Sequence, residues 1–437
     1  MLKNLLPGLL LCPMMQVSWA EQAAESPAQL RIESGTAGEL ALELEDRANA
    51  SWLLQTSPDG REWTSLESVR VPNSTLSIRG LELPANPAKG FFRAVSVGST
   101  PPLSLEEALA LPATTYNYAK ANNTPSHLAR IVSRVTIDNR KATLGRVLFY
   151  DRRLSANNAV SCASCHLQEN AFADPQRLSP GFEGRLTDRN THTLLGVRTY
   201  GGRTSEVFMD GRATNLREAI SSVIEHPSEM GMSLESLPAK LAAEPYYQPL
   251  WQAAFGELPV SGEGVVEALA QFVEAMPTFS TRYDAFLTGD LQALTAQEQQ
   301  GRTVFGQRCN GCHIQPLVSG QSFENNGLDA VTTDPGRGAV TGLASDMGKF
   351  RPPSLRNIAR TAPYMHDGRF ATLREVIEFY DHGTRPHPNR SSKLEQPINL
   401  SEADKLALEA FLRSLDDTAP DDPAFSDPFR SELEIGP

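Results

Sequence analysis

Two short segments carry the residues best equipped for chemistry, SCASCH at Ser161 to His166 and RCNGCH at Arg308 to His313. Both read C-x-x-C-H. Two thiols at that spacing can add across the two vinyl groups of one haem while the adjoining imidazole binds its iron. Cys162, Cys165 and His166 therefore predict one covalently held c-type haem, and Cys309, Cys312 and His313 a second. A zinc site would gather both cysteine pairs into one small unit, yet these pairs fall in opposite halves of the chain. A structural disulfide is the other reading, and it would close a strained loop over two residues. Each motif supplies one axial ligand per iron. Whatever faces the opposite side decides whether the iron carries electrons or meets a small molecule.

The elements that must position these groups follow from the rest of the chain. Its 437 residues are too many for one ordinary core, so two or three domains are expected, and the net charge of -12 argues against nucleic acid as a partner. Residues 1–20 carry one Lys, a short apolar run and Ser18-Trp19-Ala20, the pattern of an export signal cut after Ala20. That run is interrupted by Pro7 and Pro13 and is too short for a stable membrane span, which puts the mature protein in the periplasm or outside the cell. Cys12 raises lipidation as an alternative, but Leu11 stands where a small residue is wanted. Residues 28–97 alternate and turn like a small all-β, sandwich-like module without His or Cys, suited to docking or spacing. Residues 98–138 form a linker rich in Pro and Ala, after which the signals are helical. GEGVVEALAQFVEAM should stop before Pro277, Thr295 with Glu298 and Thr372 with Glu375 make capping boxes, and Ser401 opens a helix. Residues 418–437, dense in Asp and Pro, read as a flexible tail.

Within TLREVIEFYDHG, at Thr372 to Gly383, helical spacing puts Leu373, Val376 and Ile377 on one apolar stripe, and Tyr380 on the same stripe. A core tyrosine with a satisfied hydroxyl is one explanation.

Another comes from a resemblance. LGRVLFYDRRLSANNAVSCASCH, DRNTHTLLG, VFMDGRA and FRPPSLRNIARTAPYMHDGRFATLREVIEFY, in this order, resemble the bacterial dihaem cytochrome c peroxidase and MauG family from about Leu144 to Leu415. The resemblance implies a mostly α fold of two cytochrome c-like domains with one haem each, a peroxidatic domain at 139–288 and an electron-transfer domain at 289–417. It also implies a calcium ion held by Asn190 and by backbone oxygens of Thr361 and Pro363. Asn190 capping a turn is the plainer alternative. Tyr380 falls where MauG-type members place the sixth ligand of the C-terminal haem and peroxidases a Met; Met347, Met365, His382 and His387 are further candidates. Aligned on Arg189-Asn190, Phe182 stands near the distal His of the peroxidases, which leaves the N-terminal haem open. His192 replaces a more usual Pro and reads as a packing residue, a substitute ligand or a base. Glu229 matches the carboxylate that assists O–O cleavage, with Glu225 nearby. Met209 replaces the Trp expected between the haems. Arg351, Arg356 and His366 are matched positions able to pair with haem propionates or to form surface salt bridges.

The implied function is a periplasmic oxidoreductase, a monomer or homodimer. It would react with hydrogen peroxide at the N-terminal haem and spend the high-valent iron on an outside substrate, such as a protein side chain. A cytochrome c peroxidase fed by a small cytochrome or cupredoxin, and a plain dihaem electron carrier, are the alternatives.

Overall fold

The computed structural model describes the six strands between residues 29 and 99 and, beyond them, residues 104–121, 124–125, 127–132, 135–197, 206–276, 279–417 and 419–430. The expected export segment, residues 1–20, lies outside the described residues. The chain divides into two compact units.

The first holds β1 (Gln29–Ser34), β2 (Leu40–Glu45), β3 (Ala50–Ser57), β4 (Thr64–Val71), β5 (Thr75–Leu81) and β6 (Phe91–Ser99). They pair into two three-stranded antiparallel sheets, ordered β1-β2-β5 and β4-β3-β6. Alternation of apolar residues is what sets the register. Leu30 pairs with Leu44 and Leu44 with Leu76, while Ile32 pairs with Leu42 and Leu42 with Ile78.

The second unit is predominantly helical. Its principal helices are α1 (Asn139–Tyr150), α2 (Leu216–Glu225), α3 (Gly262–Ala275), α4 (Ala296–Arg308), α5 (Leu373–Glu378) and α6 (Glu402–Arg413). Side-chain caps start them: Asp138 accepts from Arg140 N at 2.9 Å, and the capping boxes Thr295/Glu298 and Thr372/Glu375 are both formed. α3 ends at Ala275, ahead of Pro277.

Two helix crossings organise this unit, α1 against α3 and α4 against α6. Each depends on one glycine. A Cβ on Gly145 would lie 2.0 Å from the Ala268 carbonyl oxygen, and one on Gly301 would lie 1.8 Å from that of Ala407. Gly145→Ala is therefore expected to destabilise by about 1–3 kcal/mol in urea unfolding, the ordinary cost of overpacking. In an open helix the same change would stabilise by up to about 1 kcal/mol, so the sign of the result tests the crossing.

Two expectations need correction. Residues 419–429 are packed where a flexible tail was expected. Phe425 is buried, and its carbonyl accepts from Tyr150 Oη at 2.6 Å, while Ala424 O accepts from Tyr118 Oη at 3.0 Å and Ser426 O from Arg146 Nε at 2.7 Å. One aromatic anchor and three long-range hydrogen bonds outweigh a composition that suggested disorder. The segment Thr372 to Gly383 is also not one α-helix: α5 stops at Glu378, and Phe379–Gly383 forms a π-helical turn. Leu373, Val376, Ile377 and Tyr380 nevertheless border one cavity, as the stripe predicts, with Tyr380 presented from the π turn and not from α5 itself.

Candidate functional site

The N-terminal C-x-x-C-H motif folds as a single 3-10 turn, Cys162–Ser164, with His166 N donating to Cys162 O at 2.9 Å. His166 Nδ1 lies 2.9 Å from the Phe172 carbonyl. A carbonyl only accepts, so Nδ1 carries the proton and Nε2 keeps the lone pair a metal needs. Ala171 and Phe172 both adopt left-handed backbone (φ 53° and 59°) to bring that carbonyl round. Burial lowers the pKa of His166 and keeps the ring neutral. It also pushes the thiols of Cys162 and Cys165 up to about 12, so both stay uncharged in an apolar wall.

The C-terminal motif repeats the arrangement. His313 N donates to Cys309 O at 2.9 Å, and His313 Nδ1 faces Pro353 O at 3.1 Å. Burial lowers His313 to about 4. All four cysteines are outside any disulfide, and each pair borders a different cavity, so neither the disulfide nor the shared zinc arrangement is formed. Among the described residues no cluster of three or more His, Cys, Asp or Glu side chains is placed to hold a metal ion.

The first cavity encloses about 1020 Å³, its open mouth included. Cys162, Cys165 and His166 stand together in a lining dominated by apolar side chains, and these residues suit a flat group held by thioether bonds. Beside Cys162, Cys165 and His166, its titratable lining consists of His192 and Glu229; Phe149, Phe208, Leu269 and Val273 supply apolar wall. Burial raises the carboxyl of Glu229 above the usual range, opposed by His226, whose Nδ1 lies 3.7 Å from Oε1, and by Arg212. Glu225 is exposed and borders neither cavity. Phe182 is not part of the lining. It backs the turn that carries Glu229 instead: Phe182 N donates to Glu229 O at 2.7 Å, and a Cβ on Gly231 would meet its ring at 2.8 Å.

The second cavity, about 1910 Å³, is bordered by Cys309, Cys312, His313, Met365, His366 and Tyr380 among others. Tyr380 Oη accepts from Asn326 Nδ2 at 3.3 Å, and the same amide nitrogen lies 3.5 Å from Met365 Sδ. Burial pushes the phenol up to about 12, against the pull of Asn326. Of the other ligand candidates, Met347, His382 and His387 do not border this cavity. His387 is engaged with Thr332 Oγ1 at 2.9 Å and His382 with Asp381 at 2.9 Å.

His192, Thr193 and Phe208 line both cavities, whereas Met209 borders only the second and is held by its carbonyl, which accepts from Arg351 N at 2.7 Å. The wall between the cavities is thus built by the residue before Met209 and by the histidine of RNTHT. Burial and the neighbouring His166 and Arg212 lower His192 to about 4.

Asn190, Thr361 and Pro363 all border the second cavity. The Asn190 amide nitrogen donates to Gln176 O at 2.9 Å and Arg177 O at 3.3 Å, which turns Oδ1 away as an available oxygen. The Thr361 and Pro363 carbonyls accept no hydrogen bond among the described residues. Three uncommitted oxygens suit a hard cation.

Arg356 does not face the cavity, contrary to the propionate expectation. Its side chain is fully buried and forks onto Asp284 at 2.6 and 2.8 Å. A carboxylate inside the protein occupies the guanidinium that was expected to meet a haem. Arg351 does border the cavity, and also pairs with Glu206 at 3.1 Å. His366 borders it too, stacked on Phe350 at 4.2 Å. Arg308 and Lys393 add two cations to that lining which motif matching did not supply. A further missed signal is the repeat G-R-x-x-F, at Gly145 to Phe149 and Gly301 to Phe305. In each copy the glycine makes the helix crossing and the phenylalanine lines a cavity.

The family model described as di-haem cytochrome c peroxidase matches residues 139–292. The chain is 34% identical to the cytochrome c551 peroxidase of Nitrosomonas europaea over 285 residues, 64% of this chain and 81% of that protein. It is 33% identical to the methylamine utilization protein MauG of Methylophilus methylotrophus over 282 residues, 63% and 82% of the two chains. Among solved structures, a MauG-like protein associated with microbial copper homeostasis superposes with a TM-score of 0.62 at 34% identity, over 73% of this chain and 99% of that one. Identity of this degree across four-fifths of such relatives reflects common descent, and the chain belongs to the dihaem cytochrome c peroxidase and MauG family of haem-dependent oxidoreductases.

Proposed function

We propose that this protein is a MauG-like oxidoreductase of the periplasm, which reduces hydrogen peroxide in the first cavity and directs the oxidising equivalents to an outside substrate. The observation that carries the reading is the phenol of Tyr380 in the wall of the cavity that also holds His313. Haem attached at Cys162/Cys165 and at Cys309/Cys312 would supply redox-active iron on Nε2 of His166 and His313. A phenolate is a hard anionic ligand that favours the oxidised metal and suits storage of oxidising equivalents better than a thioether does.

The chain's own groups do the rest. Hydrogen peroxide needs two electrons and two protons to leave as two waters. Glu229, half-buried in a mostly apolar wall that also holds His192, is the carboxyl placed to carry a proton from the near oxygen to the far one. Phe149, Leu269 and Val273 keep bulk water from the site. Arg308, Arg351 and Lys393 are the cations suited to propionates in the second cavity. Calcium would take Asn190 Oδ1 and the Thr361 and Pro363 carbonyls, tying the loop after Arg189 to the one before Met365. The two sheets of the first unit are inferred to stack as a sandwich with a docking or spacing role. Export follows from residues 1–20, and no helix among the described residues is long and apolar enough to cross a membrane.

Met365 in the same cavity supports a second reading, a cytochrome c peroxidase drawing electrons from a small donor protein. Steady-state turnover separates the two. Sustained peroxide-dependent oxidation of reduced cytochrome c would favour the peroxidase. Absence of that turnover, with a long-lived oxidised species after peroxide addition, would favour the MauG-like enzyme.

A further inference from the structure

The turn that carries Tyr380 is held by a buried carboxylate. Asp381 has no exposed side-chain surface. Its Oδ1 accepts from Leu400 N at 2.7 Å, its Oδ2 lies 2.7 Å from Lys405 Nζ and 2.9 Å from His382 Nδ1, and its backbone carbonyl accepts from Ile398 N at 3.3 Å. These contacts converge on one cavity. Ile398 and Leu400 border the second cavity, and Lys405 belongs to α6, whose Leu408 and Leu412 border it as well. Asp381 thus joins three parts of one wall: the π turn, the segment entering α6, and α6 itself. Lys405 is bound in turn to Glu378 at 2.6 Å, the last residue of α5, so both ends of the α-to-π transition meet a single ammonium.

A carboxylate buried this fully is costly unless its partners are held in place, and removing one partner is costly for the same reason. The α-helical hydrogen-bond pattern of α5 gives way to a π turn at the residue beside Tyr380, and such turns are frequent at functional sites. We propose that Asp381, through Lys405 and the Leu400 amide, is a positioning residue that fixes the π turn and so aims the Tyr380 hydroxyl into the second cavity. The inference rests on Tyr380 being an axial ligand there.

The test uses the full-length protein carrying both haems, with low-temperature EPR and optical spectra normalised to haem content. Tyr380→Phe supplies the spectrum of the protein without the phenolate. Asp381→Ala is expected to shift the balance between the tyrosine-bound and the Tyr380→Phe-like form by about tenfold or more, as loss of a partner that orients a ligand commonly does. Asp381→Asn, whose Oδ1 can still accept from Leu400 N, should shift it less, and Lys405→Met should resemble Asp381→Ala in direction. If the Asp381→Ala protein melts earlier yet keeps the wild-type ligand spectrum, Asp381 is only a stabilising residue and the proposal is wrong. Should that variant fail to take up its second haem, Asp381→Asn and Lys405→Met decide by the same spectra. A Tyr380→Phe spectrum identical to wild type would instead overturn the ligand reading itself.

Discussion

Glu229→Gln is expected to leave both haems attached and the ligand spectra unchanged while slowing peroxide consumption by about 10²–10⁴-fold, the usual worth of a positioned proton-transfer group. The substitution keeps the shape of the side chain and removes its ability to take and return a proton. The expected size follows from how little else is present: among the described residues, His192 is the only titratable group in the first cavity besides Glu229 and the Cys162, Cys165 and His166 motif. Stopped-flow loss of peroxide with haem content measured on the same sample is the check. Unaltered rates would remove Glu229 from the chemistry and move attention to His192. Glu225→Gln is the internal control, since Glu225 is exposed and borders neither cavity.

Tyr380→Phe carries the second large expectation, and it concerns the other cavity. Loss of a phenolate should convert the ferric low-spin signal of the C-terminal haem to an open or thioether-bound form. It should also raise that haem's potential by on the order of 0.1 V, a modest part of the roughly 0.8 V that axial ligands span. Met365 is the thioether within reach, because one amide nitrogen, Asn326 Nδ2, touches both Tyr380 Oη and Met365 Sδ. Spectroelectrochemistry of the variant, and of Tyr380→Phe combined with Met365→Leu, tells an open site from a substituted one. Peroxide reaction at the first cavity should survive both changes, with the oxidised species decaying faster.

Much of the second unit is legible in the chain itself. The capping boxes at Thr295 and Thr372 and the end of α3 ahead of Pro277 depend on residues three or four positions apart, and local chemistry suffices to read them. Packing of residues 419–429 was not legible, because the Phe425 carbonyl finds its partner in α1 and the Phe425 ring packs on Tyr118 and Phe272, all far away in sequence. Arg356, for which a haem propionate and a salt bridge were equal alternatives, could not be decided for a similar reason. Its arginine type suits a propionate, but Asp284, 72 positions earlier, reaches it first. Phe182 illustrates a third case, where alignment located the loop and only packing showed that its ring backs Gly231 while its backbone amide holds the Glu229 carbonyl.

The sequence by itself determined the two C-x-x-C-H motifs, the family and the order of the helical segments, because covalent attachment chemistry and capping work over a few adjacent residues. Only the tertiary structure decided that His192 and Phe208 rather than Met209 stand in both cavity walls, that Glu225 is exposed while Glu229, to which the resemblance already pointed, lines the first cavity, and that Tyr380 projects from a π turn. Those outcomes depend on which distant segments pack together, and a buried carboxylate such as Asp381 declares its role only when its lysine and its backbone amide have been brought to it.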